Sequence, residues 1–94
     1  MITRIVKMIV VEKKLLEFIQ YFEKYNNQII DFDGCEHHDF LEDKNDPAVF
    51  FTYTTWKTER QIERYRRSET HRKHKEIMGQ FYAKDDTAWT VEKI

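Results

Sequence analysis

The spacing of apolar positions changes several times along the chain, and each change marks an element. Ile2 to Val11 is rich in Ile and Val with apolar side chains on both faces, which predicts a strand covered on both sides. From Glu12 to about Ile30, Leu15, Phe18, Ile19, Phe22 and Ile29 recur at helical spacing. Lys13, Lys14, Glu17, Glu23 and Lys24 fall mostly elsewhere, so this stretch predicts an amphipathic helix lying on a sheet. Asp33 and Gly34 break the pattern, and Cys35 to Asp43 resumes as an extended segment. The turn cluster Lys44, Asn45, Asp46 and Pro47 then implies a hairpin. Ala48 to Trp56 is dense in β-branched and aromatic residues and predicts a strand near the sheet centre.

Thr58 can cap a helix that carries Glu59 in its first turn and continues past Arg67. Ser68 followed by Glu69 reads as a second start, giving a short helix to about Gly79. After the polar Lys84 to Thr87 connection, Ala88 to Ile94 closes the chain as a strand. The order is β-α-β-β-α-(α)-β, an α+β fold of ferredoxin-like connectivity with its helices on one face of the sheet. Such a sheet leaves its other face bare. Val49, Phe51 and Tyr53 alternate with Phe50, Thr52, Thr54 and Trp56, so neither face of this strand is fully polar. An apolar open face predicts a homodimer in which two sheets cover one another.

Composition narrows the class. The chain has 94 residues, 40% hydrophobic, 15% aromatic and 35% charged, enough for one folded domain and too apolar for a disordered tail. Cys35 is the sole cysteine, which excludes an internal disulfide framework and a cysteine zinc cluster and suits a reducing, cytoplasmic address. Arg4 and Lys7 interrupt the first apolar run, so neither a signal peptide nor a membrane span is expected there. The net charge of -1 conceals an asymmetry. Asp31 to Asp46 holds seven acids against Lys44 alone, and Lys57 to Glu76 holds eight bases against four acids. Intrahelical partners such as Glu69 with Lys73, and the acidic region itself, make the basic helices a solvated, ion-paired face rather than a nucleic-acid surface.

The run Asp33-Gly34-Cys35, then Phe40-Leu41-Glu42-Asp43, then Asp46 to Trp56, resembles the central hairpin of the antibiotic biosynthesis monooxygenase family. Ser68-Glu69-Thr70-His71 extends the resemblance, since in that family a helix and a Ser-x-x-His turn follow the hairpin. The order of elements covers nearly the whole chain, as a single domain over residues 1–94. The resemblance implies a dimeric α+β barrel. It leaves function open, because the family includes oxygenases of polyketides and quinols, haem-degrading enzymes and proteins without known activity.

For the oxygenases, the resemblance implies chemistry without metal or flavin: an electron-rich phenol or quinol loses a proton, and its anion passes an electron to dioxygen. The protein must supply an apolar cavity, a proton-transfer group and donors for the developing charge. His71 is the candidate for proton transfer. Trp56, Tyr53, Tyr65, Thr52 and Phe81 are the candidate cavity residues, with Trp and Tyr polar atoms as donors. Thr52 stands where polyketide oxygenases of the family place an Asn, and it offers a hydroxyl instead of an amide. The expected substrate is a quinol-like or phenolic small molecule. The competing reading is a non-catalytic dimer binding a small aromatic or lipid-like ligand.

Haem-degrading relatives carry an Asn on the first strand, a Trp in the helix after the third, and an iron-ligating His further on; Thr3, Tyr65 and Lys75 stand at the matching positions. His74, one residue away from the last, is the remaining candidate ligand, turned by roughly 100° on a helix. His71 and His74 share a helical face, while neighbouring His37 and His38 point to opposite sides of a strand. No carboxylate motif completes a site, so no metal and no cofactor are expected. Cys35 reads as a core residue.

Overall fold

The computed structural model describes all 94 residues. β1 (Ile2–Ile9) leads through a 3-10 turn (Glu12–Lys14) into α1 (Leu15–Ile30). There follow β2 (Cys35–Glu42), β3 (Val49–Trp56), α2 (Glu59–Arg66), α3 (Glu69–Met78) and β4 (Thr87–Glu92). The strands form one sheet in the order β2-β3-β1-β4, with every neighbouring pair antiparallel. The α+β, ferredoxin-like arrangement predicted from the residue pattern is the one observed.

Register assigns each side chain to a face, because successive residues of a strand alternate. Ile2, Arg4, Val6 and Met8 stand opposite Trp56, Thr54, Thr52 and Phe50, and all of them belong to the helix-covered face. Thr3, Ile5, Lys7 and Ile9 share the open face with Thr55, Tyr53, Phe51 and Val49. β4 adds Trp89 and Val91 to the open face, opposite Ile5 and Thr3.

The core lies between the sheet and α1. Phe18 is fully buried, with its ring centroid 4.9 Å from Phe50, 5.4 Å from Phe22, 5.6 Å from Phe81 and 5.8 Å from Phe40. Removing such a side chain costs about 3–5 kcal/mol. Phe81 was expected beside the cavity; it is instead a core residue, packed on Phe18 and Tyr21.

Three boundaries differ from the sequence pattern for reasons of hydrogen bonding. β1 stops at Ile9 because the Val11 N–H donates to the Phe81 carbonyl, so the chain leaves the sheet before the 3-10 turn. β4 stops at Glu92, which pairs with Ile2, the first strand residue of β1. The first helical stretch opens as a 3-10 turn without a side-chain cap. Gly34, at φ 93°, makes the tight return after α1, and its carbonyl accepts the Lys57 N–H at 2.9 Å.

Candidate functional site

A cavity of about 250 Å³ opens between the helix-covered face of β1 and β3, the helices, and the segment leading into β4. Its floor is Val6, Met8, Thr52, Thr54 and Trp56; Tyr65, His71 and His74 come from α2 and α3, and Tyr82 and Asp86 from the last connection.

Two N-caps build the helical wall. The Thr58 hydroxyl accepts the Gln61 N–H at 3.3 Å and starts α2. At the junction the Ser68 hydroxyl donates to the Tyr65 carbonyl at 2.6 Å and accepts the His71 N–H at 3.1 Å. Ser68 thus ties the end of α2 to the start of α3, which is why a Ser three residues before His71 matters. The His71 ring stands edge-on to Tyr65, centroids 4.9 Å apart, and Tyr65 lies 5.3 Å from Trp56. The cavity therefore brings together Trp56, Thr52, Tyr65 and His71.

Tyr53 is not part of that group. It stands between Thr52 and Thr54, so strand alternation turns it to the open face, where it is 37% exposed. The Trp56 donor is also engaged inside the protein, and the Tyr65 hydroxyl is paired with another phenol. The indole N–H donates to the Thr54 hydroxyl at 3.0 Å, and the Tyr65 hydroxyl is 2.6 Å from that of Tyr25.

Burial keeps the site's imidazoles neutral. The His71 pKa is lowered first by burial and then by the Lys75 cation, with the Arg66 backbone carbonyl pulling the other way. His74 is pushed down to about 3 by burial, then by His71 and Lys75. Its Nδ1 is 2.8 Å from the Tyr21 hydroxyl, and its ring stacks on Tyr25 at 3.8 Å. Burial raises the Tyr65 phenol to about 12, so it stays protonated near neutral pH.

The residues that the sequence pattern did not flag include all of the cavity's charged groups. Arg4, Arg66 and Lys75 line the cavity, with Asp86 as its only carboxylate. The signal for Arg4 was available: it occupies an inward-parity position on a strand face otherwise built of Ile2, Val6 and Met8. Tyr25 and Tyr82 reach the site through long-range packing and left no local signal.

Other candidates lie elsewhere. Thr3 is on the open face. His38 is on the helix-covered side, 6.5 Å from Phe22, with Nε2 buried and unbonded; His37 pairs with Asp39 at the surface. No group of three or more His, Cys, Asp or Glu gathers to hold a metal. No helix is long and apolar enough to cross a membrane. The basic helices are ion-paired, although Glu69 pairs with Arg72 rather than Lys73. Arg72 also reaches Glu76, and Arg64 and Lys57 reach Asp33 and Glu36.

A ferredoxin-like sheet with a half-enclosed cavity of aromatic, histidine and basic residues defines a small-molecule α+β protein. The chain belongs to the antibiotic biosynthesis monooxygenase family, whose profile matches residues 1–77. Its fold is similar to that of a candidate antibiotic biosynthesis monooxygenase from Nitrosomonas europaea, at 19% identity and a TM-score of 0.91, covering 100% of this chain and 99% of that one. A conserved protein from Methanosarcina mazei has a TM-score of 0.91 at 18% identity, covering 99% and 93%. A third, candidate monooxygenase, from Deinococcus radiodurans, has a TM-score of 0.92 at 13% identity, covering 99% and 92%. No curated protein matches the chain.

Proposed function

We propose that the protein is a cofactor-independent monooxygenase of quinol-like or phenolic aromatic molecules, with His71 as the base. The observation that carries this reading is His71 itself: a neutral imidazole, anchored by the Ser68 turn and facing a cavity floored by Val6, Met8 and Trp56. A neutral imidazole can take a phenolic proton, and the resulting anion is the species able to reduce dioxygen. Arg4 and Arg66 supply positive charge for that anion. For an anthrone the balance closes without an outside reductant: the methylene hydrogens leave with one oxygen atom as water, and the other oxygen becomes the new carbonyl.

A cavity of about 250 Å³ is smaller than the usual range for drug-sized ligands, which starts at about 300 Å³. That favours compact substrates of two or three rings over a tetrapyrrole. The assembly we propose is a homodimer joined through the open sheet face, where Leu41, Tyr53, Trp89 and Val91 are exposed.

The test is oxygen uptake by chelator-treated protein against reduced naphthoquinols and anthrones, corrected for spontaneous autoxidation. Uptake that disappears in His71→Ala, with unchanged far-ultraviolet circular dichroism, is expected. Full turnover in that variant would remove His71 from the mechanism. A second reading, ligand binding without chemistry, is favoured by Thr52 and by the internal engagement of the Trp56 donor. Saturable binding with no uptake across the panel would select it.

A further inference from the structure

We infer that the cavity selects an anionic aromatic, an aryl carboxylic acid whose carboxylate is received by Arg4 while its ring lies over Val6, Met8 and Trp56. The inference rests on reading this cavity as the substrate site, and it adds a substrate class to that reading.

Arg4 lacks an acidic partner. Its side chain is partly buried on the helix-covered face of β1, yet it makes no ion pair with any carboxylate. Its one side-chain hydrogen bond runs from a terminal nitrogen to the Thr90 hydroxyl at 2.9 Å, across to β4. A guanidinium carries five N–H donors in a planar fork that matches a carboxylate, so most of its donors have no protein acceptor. Glu63 and Asp86 favour the charged form of Arg4 from a distance, but with no acid in ion-pair contact a partly buried cation is costly unless something else offsets it. Arg64 and Arg72 each face an acid at the surface, and Arg66, the other cavity arginine, is paired with Glu63; Arg60 and Arg67, also unpaired, are exposed to water.

The rest of the cavity agrees in sign. Lys75 has no ion pair either, and Asp86, the single acid, already accepts the Tyr82 hydroxyl at 3.2 Å. The strand also holds Arg4 in place. Its backbone carbonyl accepts the Thr54 hydroxyl at 3.3 Å, and that hydroxyl in turn holds Trp56. The cation and the aromatic floor are therefore parts of one rigid unit, with charge at one end and apolar surface beside it. An aromatic acid has that same polarity.

Calorimetry on the full chain under argon, with 1-hydroxy-2-naphthoate and its carboxamide as probes, tests the inference. Both probes carry the same rings and hydroxyl and differ in charge. A charge-assisted hydrogen-bond pair is worth about 1.5–3 kcal/mol, so the acid should bind at least about tenfold more tightly than the amide. In Arg4→Gln that preference should collapse to within about twofold, because the acid loses more affinity than the amide. In Arg67→Gln, an exposed helix residue outside the cavity, it should persist. Equal binding of the two probes, or binding of neither, overturns the inference, and so does a preference that survives in Arg4→Gln or disappears in Arg67→Gln. The comparison on the unaltered chain tests the charge preference even if Arg4→Gln fails to fold, and Arg4→Met then tests its assignment to Arg4. Oxygen uptake reports separately: acid preference without any uptake sinks only the oxygenase reading, and uptake of neutral quinols without acid preference sinks only this one.

Discussion

The indole N–H of Trp56 donates to the hydroxyl of Thr54 at 3.0 Å, two residues back on the same strand and the same face. Because both side chains are buried, this bond has no solvent alternative. It converts Trp56 from a donor free to meet a ligand into a fixed wall of the cavity.

Thr54→Val keeps the shape and leaves the Trp56 N–H without its acceptor. An unpaired buried donor costs about 1–3 kcal/mol, and the loss should appear in a urea midpoint. Combining it with Trp56→Phe removes both partners, so the double variant should lose less than the sum of the singles. Additive losses would mean the bond contributes nothing to stability.

Oxygen-uptake activity should rise with pH as His71 loses its proton, with a midpoint below the ordinary histidine value of about 6.5. The direction follows from burial and from Lys75, which both disfavour the imidazolium and so leave the base form populated at lower pH. Lys75→Gln removes one of these causes and should move the acidic limb of kcat/KM upward. An unmoved limb would mean that another group titrates.

Most of the architecture was legible because strand and helix periods dominate locally: Phe18, Phe22 and Ile29 announce α1, and Val49 to Trp56 announces β3. The site was legible only in part. Tyr53 could have been separated from Thr52 and Trp56 by parity alone, since odd and even residues of a strand cannot share a face. Arg4 needed the register of β1 against β3 before its parity could be tied to Thr54. Phe81 and Tyr25 depend on how the helices and the last connection pack over the sheet, which no local spacing encodes. The pairing of the Tyr65 hydroxyl with that of Tyr25 is likewise a tertiary fact, whereas the bond from Trp56 to Thr54 links two residues of one strand.

His74 should make the protein acid-sensitive. Its folded pKa, about 3, lies below the unfolded value of about 6.5, so the unfolded state binds the proton first. Stability is then fully present above about pH 6.5 and declines as pH falls toward 3, by at most about 5 kcal/mol. His74→Phe cannot take up the proton, so its urea midpoint should vary less between pH 7 and pH 4 than that of the unaltered chain. An equal decline in both would place the acid sensitivity on other groups.

The open sheet face carries the last prediction. Tyr53, Ile5 and Trp89 form a row across three strands, and Trp89 is 45% exposed in the single chain. A second sheet laid over this row would remove that apolar surface from water, whereas helices already cover the opposite face. Sedimentation at micromolar concentration should give twice the chain mass. Trp89→Glu and Tyr53→Glu each bring a charge into the contact without touching the core, so both should be folded by circular dichroism and weaken association about a hundredfold or more. Arg67→Glu, an equally drastic charge change on the exposed helical side, should leave the dimer intact. A monomeric unaltered chain would rule out the sheet-to-sheet contact. A dimer indifferent to both open-face variants would place the association on another surface.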